Sequence, residues 1–483
     1  MNLVKPRKKN PEGEGMTMKR MLVASFSVVG LSWMGMVAGS GTTPSTTPVT
    51  FNKEVLPILQ KNCQTCHRPG EVAPMALLTY EQTRPWAKAI KTAVVTKKMP
   101  PWFADPRYGH FSNERKLTAE EIRTLVAWVD QGAMEGDAKD RPAPLEFVDG
   151  WNIGQPDRVI EMPNEFHVPA EGTIDYQYIV IPGGFTQDTW VQAAEIRPGN
   201  RAVVHHVIAY VRGPGSQWLK DVPPGVPVPL RTSGQSRGEG AQRGQGGGGG
   251  LLGAEHLIGY APGLQPLQLS DSAKLVKAGS DIVLQLHYTA NGKPATDKSK
   301  VGLVFPKTPP QLRNVTLLAP NRLFVIPPND DNYEVKSEVE LQDTVKLVAL
   351  TPHMHFRGKD FLYRVVYPSG ETETLLSVPK YDFNWQLGYR LAEPLVLPKG
   401  ARIQCTAHFD NSPNNPYNPD PAKEVRWGDQ TWEEMMIGWF QVTVDPKVHS
   451  GPLVKFLPGS AKASIASQPN TTTPSTAPTG PPR

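Results

Sequence analysis

Near residue 140 the chain changes the period of its apolar residues, and that change constrains the fold more than any other feature. Before it, Leu117–Gly132 reads LTAEEIRTLVAWVDQG. Thr118 and Glu121 stand at capping-box spacing, Ile122, Leu125, Val126 and Val129 share one helical face, and Gly132 is a stop signal. Ala87–Thr96 reads as a shorter helix ahead of Pro100-Pro101. After the DRPAP stretch Asp140–Pro144, a linker by composition, the helical spacing disappears. Short β-rich runs replace it: Tyr176–Ile181, Trp190–Ile196, Val203–Val211, Ile282–Tyr288, Val345–Leu350 and Leu362–Tyr367. Turn signals separate them, among them Pro182-Gly183-Gly184, Pro198-Gly199-Asn200 and Pro398-Lys399-Gly400.

A chain of 483 residues is too long for one hydrophobic core, and its 49 prolines and 43 glycines favour turn-rich β architecture. The expected fold is therefore mainly β: two tandem, jelly-roll-like β-sandwiches over 145–308 and 309–447, preceded by a small all-α domain over 51–139. Residues 233–250, ending in five glycines, read as a surface loop of the first sandwich, and 460–483 as a disordered Pro/Thr-rich tail.

The net charge of +5 comes from one end. Six Lys/Arg and two Glu fall in residues 1–40, so the totals of 51 and 46 become 45 and 44 beyond it. No basic block remains to suggest nucleic acid. Lys5 to Arg20 precede the apolar run Met21–Ala38, and the small residues Ala38, Gly39 and Ser40 follow. This is a secretory signal pattern, and its length also allows an uncleaved membrane anchor. Met16 or Met18 would give a signal of more usual length. Residues 41–50 form a spacer. Either way the rest is expected to be exported, periplasmic or held at the outer face of the cytoplasmic membrane.

The chain has three cysteines, and two stand in Cys63-Gln64-Thr65-Cys66-His67. CxxCH is the attachment sequence of a c-type haem: the thiols add across the vinyl groups, and the histidine binds iron from one side. A zinc or thioredoxin-like CxxC is the alternative, but zinc needs further thiolate or imidazole ligands nearby, and none is present. For the second axial position Met99, before the rigid Pro100-Pro101, is the leading candidate and Met75 its competitor; either can also serve as packing. Phe51–Gly132 as a whole resembles small class I cytochrome c domains. The remaining Cys405 has no partner for an intrachain disulfide.

Five of the 11 histidines fall in three clusters on predicted strands: His205-His206, His287, and His353-Met354-His355. Two residues apart on a strand, His353 and His355 project from one face as a two-imidazole clamp. The adjacent pair His205-His206 points to opposite faces of a regular strand, so joint binding of one ion requires a bulge or different ring nitrogens. A lone buried histidine is more often a core residue; five in three clusters point toward metal.

These motifs resemble the copper type II, ascorbate-dependent monooxygenases, the family of the peptidylglycine and dopamine β hydroxylating enzymes. The matches are VVHHVIAYV around His205-His206, VLQLHYT around His287, TPHMHFRGK around His353 and His355, and TWEEMMIGW around Met435, with Met436 its immediate rival. Gly259–Gly263 resembles a further stretch of the family. The resemblance covers about 147–445 and implies two copper ions. His205, His206 and His287 would hold one that stores and passes electrons; His353, His355 and Met435 would hold the catalytic one, which meets O2 and hydroxylates the substrate. The family's substrate-binding Arg, Asn and Tyr correspond here to Thr351, Ile437 and Trp439, which argues against a C-terminal glycine peptide. Its disulfides are absent. His408 reads as a residue near the site or as core, and His110, His167, His256 and His449 as structural or exposed.

The expected function is an exported copper monooxygenase acting on an organic substrate with O2, its electrons relayed through the fused haem from ascorbate or another donor. A non-enzymatic haem/copper electron carrier is the alternative, and a copper-binding sandwich with a decayed site is the third reading.

Overall fold

The computed structural model describes residues 48–71, 73–147, 150–229, 254–261, 264–448 and 453–457. The expected signal or anchor, the Gly-rich loop 233–250, the tail 460–483 and His449 lie outside the described residues. Among the described residues no helix is long and apolar enough to cross a membrane.

The protein is mainly β, built of several sheets, and among the described residues helices occur only in the N-terminal part. Helices Leu56–Asn62, Ala87–Val95 and Ala119–Asp130 gather around Phe51, Val55, Leu59, Leu125 and Trp128. The last helix starts as its sequence dictates. Thr118 Oγ1 accepts from the Glu121 N–H (3.1 Å), and the Glu121 carboxylate accepts from the Thr118 N–H (2.7 Å). The deepest side chains of this helix are Leu125 and Trp128; Ile122, Val126 and Val129 are only half-buried. Trp128 reaches depth because its indole N–H donates to the Met134 carbonyl at 2.9 Å, which satisfies its one polar atom.

Residues 158–304 form a four-stranded and a five-stranded sheet over a core that includes Ile160, Ile179, Val207, Leu284 and Leu303. Strand Asp281–Tyr288 is central in the five-stranded sheet, between Gln177–Ile181 and Val204–Arg212, and Glu255–Tyr260 closes the edge. Residues 312–456 form a second pair of sheets over Val339, Leu347, Phe361, Ile403 and Phe440. Strand Met436–Val444 is flanked by Leu312–Asn321 and Val345–His353. The two halves are joined by backbone hydrogen bonding. Strand Ser272–Val276 pairs in parallel with Leu312–Asn321 and brings Thr189–Val191 with it, so six strands from both halves make one sheet. The expected division near Lys307–Leu312 falls at this junction. The run Trp190–Ile196 is interrupted at Gln192, and its two pieces serve different sheets.

The helical part does not end at its own core. Residues 102–113 run across the second half as a strap. The Asp105 N–H donates to the Ser377 carbonyl (2.8 Å), Ser112 N–H to Arg390 (2.9 Å), and Ala392 N–H to His110 (2.8 Å). Trp102 and Phe111 meet Tyr389 edge-on at 5.0 and 5.5 Å between centroids.

Candidate functional site

Three of the five clustered histidines meet at one point because the ladder breaks there. Strands Val204–Arg212 and Asp281–Tyr288 pair regularly to Leu286↔Val207 and His287↔His206, and then Tyr288 faces Val204. His205 is the extra residue of this bulge, which re-aims its side chain to the side of its neighbour. His205 Nδ1 lies 3.3 Å from His206 Nδ1, and His287 Nδ1 lies 3.4 Å from the same atom. A tetrahedral site with metal–nitrogen bonds near 2.0–2.1 Å has ligand–ligand edges of about 3.3–3.4 Å. Two edges of the donor set therefore have the length one ion requires, and the ligand atoms of all three residues lie within 4.8 Å of one another. Burial holds all three imidazoles toward the neutral form: His205 is shifted down, His287 down to about 3, and His206 well down, with His287 and His205 beside it adding to the effect of burial. Neutral rings keep a lone pair for a metal.

His353 and His355 lie together but not on one strand. The strand ends at His353, and His355 belongs to the turn that follows. Their rings are perpendicular with centroids 5.3 Å apart. Each is fixed through Nδ1: His353 donates to Gln386 Oε1 (2.7 Å) and His355 to the Glu433 carbonyl (3.2 Å). That assignment of the proton leaves both Nε2 lone pairs free. The His355 backbone N–H donates to buried Glu434 (2.9 Å), and so does the Arg357 N–H (2.6 Å), tying the histidine turn to the residue before Met435. Burial pushes the Glu434 carboxyl up to about 8, against the pull of these donors.

The two adjacent methionines separate by strand alternation. Met436 packs inside the second core with Phe440 and Val442, whereas Met435 joins Tyr176, Tyr210 and Ile437 in a cluster between the two halves. Met435, His206, His353 and His355 line one cavity of about 720 Å³. Phe383 stands between the histidine groups, stacked on His205 (5.6 Å) and edge-on to His355 (6.1 Å).

Three residues around these histidines were not among the candidates. Tyr176 leans on His287 (4.5 Å) and His206 (5.2 Å), and its buried hydroxyl has no hydrogen-bond partner. The second is Phe383. The third, His256, expected to be structural or exposed, lines the cavity beside Trp439 (5.2 Å), with its buried Nδ1 unpartnered. They come from separate segments, Tyr176 just ahead of a strand, Phe383 in a turn and His256 in strand Glu255–Tyr260, so sequence spacing carried no signal for them. His408 is elsewhere, bound to Asp360 (2.7 Å) in the outer sheet.

In the Cys63–His67 motif Cys63 and Cys66 form no disulfide, and burial pushes the Cys63 thiol up to about 12. His67 is fixed through Nδ1 to the Met75 carbonyl (3.3 Å), which leaves its Nε2 free, as an iron ligand requires. Met75 packs against the helical core; Met99 is half-buried and outside it. Thr65 and Cys66 line a second cavity of about 530 Å³.

No family model and no curated protein matches the chain. Among solved structures, a capsid titled "Structure of infectious bursal disease virus Gx strain" is 12% identical over 65% of this chain and 78% of that one, with a TM-score of 0.18. An allantoicase is 10% identical over 51% and 79%, with a TM-score of 0.15. Likenesses this low carry no argument about fold or function.

Proposed function

We propose that the protein is a copper monooxygenase fused to a c-type cytochrome, two jelly-roll-like sandwiches carrying the metals and the helical part carrying the haem. The observation behind this reading is the convergence of the His205, His206 and His287 Nδ1 atoms at 3.3–3.4 Å, in reach of the cavity that His353, His355 and Met435 also line. By resemblance, the first set holds the electron-storing ion and the second the ion at the substrate.

Copper supplies one-electron redox chemistry and reactivity toward O2, and the haem on Cys63, Cys66 and His67 supplies electrons one at a time. The chain's own part is to bind and orient. Gln386 and Glu433 hold the ring angles of His353 and His355, and Glu434 holds the turn that carries them. Met435 offers a thioether from the neighbouring loop. A thioether beside two imidazoles favours the reduced ion, the state that meets O2. Ile437 and Trp439 line the cavity where the peptide-hydroxylating relatives use Asn and Tyr, so the substrate is a different organic molecule. Export to the periplasm or to the outer membrane face provides the oxidising, haem-loading surroundings this reading needs.

Labelled oxygen tests the proposal. The copper- and haem-loaded full chain, given ascorbate and labelled O2, is screened against organic compounds. The reading predicts one labelled oxygen in a product and its loss in His353→Ala. Products labelled only from water would contradict it, and electron transfer without any oxygenated product would favour the electron-carrier alternative.

A further inference from the structure

The side of the haem motif that carries Cys66 is fastened to the first β half. Arg201, just ahead of the His205-His206 bulge, donates to the Gly70 carbonyl (3.0 Å) and pairs with Glu71. Glu71 also holds Arg68 (3.2 Å), whose guanidinium lies over the Phe147 ring at 4.3 Å. These side chains are only 15–23% exposed, so the network is more than a loose surface pair.

Behind the fastening lies the 530 Å³ cavity. Thr65, Cys66 and Tyr260 all line it. Tyr260 also lines the 720 Å³ cavity, and the two share Ile258, Leu264 and Arg390, so the cavity at Thr65 and Cys66 adjoins the one lined by His206, His353 and His355. Tyr260 ends strand Glu255–Tyr260 and pairs with Val207, the residue after His206. With strands about 4.8 Å apart and successive Cα atoms 3.8 Å apart, the Tyr260 and His206 backbones lie about 6 Å from each other. Burial raises the Tyr260 hydroxyl, and Cys66 and Glu71 are among the groups it senses. The 102–113 strap fixes the same helical part to the other half. A carrier swinging on the 140–144 linker would need neither attachment.

We infer that the Arg201–Glu71 pair and Tyr260 hold the Cys66 side of the haem motif against the strand beside His206, so that electrons cross from a fixed position and not by movement of a tethered domain. The inference rests on the functional reading above for what is transferred. One electron moves per event: a ferrous haem on Cys63 and Cys66 is oxidised to ferric, a cupric ion on His205, His206 and His287 is reduced to cuprous, and no bond or proton changes place. Arg201 and Glu71 are positioning residues; Tyr260 is the surface across which the two sites face each other.

The test uses the full chain. Backbone hydrogen exchange over 255–260 reads the docking, with or without cofactors. Anaerobic transient oxidation of the haem, after flash reduction of the copper-loaded chain, reads the transfer. Arg201→Glu places two anions together and is expected to raise exchange over 255–260 and slow transfer by about tenfold or more, with haem spectrum and midpoint potential unchanged. Arg201→Lys is expected to keep most of the rate. Tyr260→Ala is expected to slow transfer while Tyr260→Phe preserves it. If Arg201→Glu undocks the segment and the rate stays at the wild-type value, or if it neither loosens 255–260 nor slows transfer, the inference is overturned. A chain that takes up no haem or no copper counts instead against the functional reading, and metal analysis shows this separately from the exchange data.

Discussion

Arg357 is the residue on which the second metal-candidate set most depends without being a member of it. It is 2% exposed, and its guanidinium donates to Asn411 Oδ1 (2.8 Å) and to the Trp432 carbonyl (2.9 Å). Asn411 in turn donates to the carbonyls of Pro327 and Lys423 (2.8 and 2.9 Å). Arg357 thus joins the histidine turn to the 429–435 loop that delivers Met435. Replacing it with Met keeps the bulk and removes two hydrogen bonds from a charged donor, each worth about 1.5–3 kcal/mol. It also leaves the Trp432 carbonyl buried without this donor and removes the cation that holds Glu434 down. After local relaxation the loss should be about 3–5 kcal/mol, as for breaking a buried pair. For a unit of this size that corresponds to roughly 10 °C in melting temperature. Arg357→Lys retains the charge but not the fork and should lose about half as much. Urea unfolding gives the stability, and copper titration should show weakened binding at the His353/His355/Met435 set with the three-histidine set unaffected. A loss below about 1 kcal/mol in Arg357→Met, with copper binding unchanged at both sets, would refute the reasoning.

Three further outcomes follow from the packing. Met435→Ala should weaken copper binding at the His353/His355 set and, because Met435 is buried in the cluster between the halves, also cost about 2–5 kcal/mol in urea unfolding. Met436→Ala should cost a similar amount and leave copper binding intact, because Met436 lies in the second core and does not line the cavity. A Cβ on Gly438 would lie 2.4 Å from Cys405 Sγ and 3.0 Å from Tyr363 Cε1, so Gly438→Ala should destabilise by about 1–3 kcal/mol, and adding Cys405→Ala should recover part of it. Buried Lys274, hydrogen-bonded to His256 O and Thr316 Oγ1, is pushed down to about 8 by desolvation. Between that value and its ordinary 10.5 the unfolded chain keeps a proton the folded chain has lost, so Lys274 makes stability rise with pH across this window, by up to about 3 kcal/mol. Subtracting the profile of Lys274→Met from that of the wild type should show that rise.

Local rules made part of this architecture legible. The Thr118/Glu121 capping box and the β runs after residue 144 are decided within a few residues of chain, and the structure carries both. For His205 and His206 to share one ion, a bulge was one of the two routes the sequence left open, and a bulge is present. Where pairing partners are distant in sequence, the reading stopped short. The strand ends at His353, and His355 is held by Glu433 and Glu434 from a loop some 80 residues away, which no periodicity around residue 353 contains. Tyr176, Phe383 and His256 reach the histidine groups from three distant segments of the chain. The strap at 102–113 packs against strand Tyr389–Leu397, about 280 residues later, and its Trp and Phe resemble ordinary core residues until that partner is known. The parallel pairing of Ser272–Val276 with Leu312–Asn321 is likewise a choice of edges that two short β runs do not announce.

The most direct test of the central claim is metal analysis of the purified full chain after loading with copper. The account predicts about two copper ions per attached haem, falling to about one in the His353→Ala/His355→Ala variant, with the remaining one lost when His287 is also replaced. A folded, haem-bearing chain that holds no stoichiometric copper would contradict it.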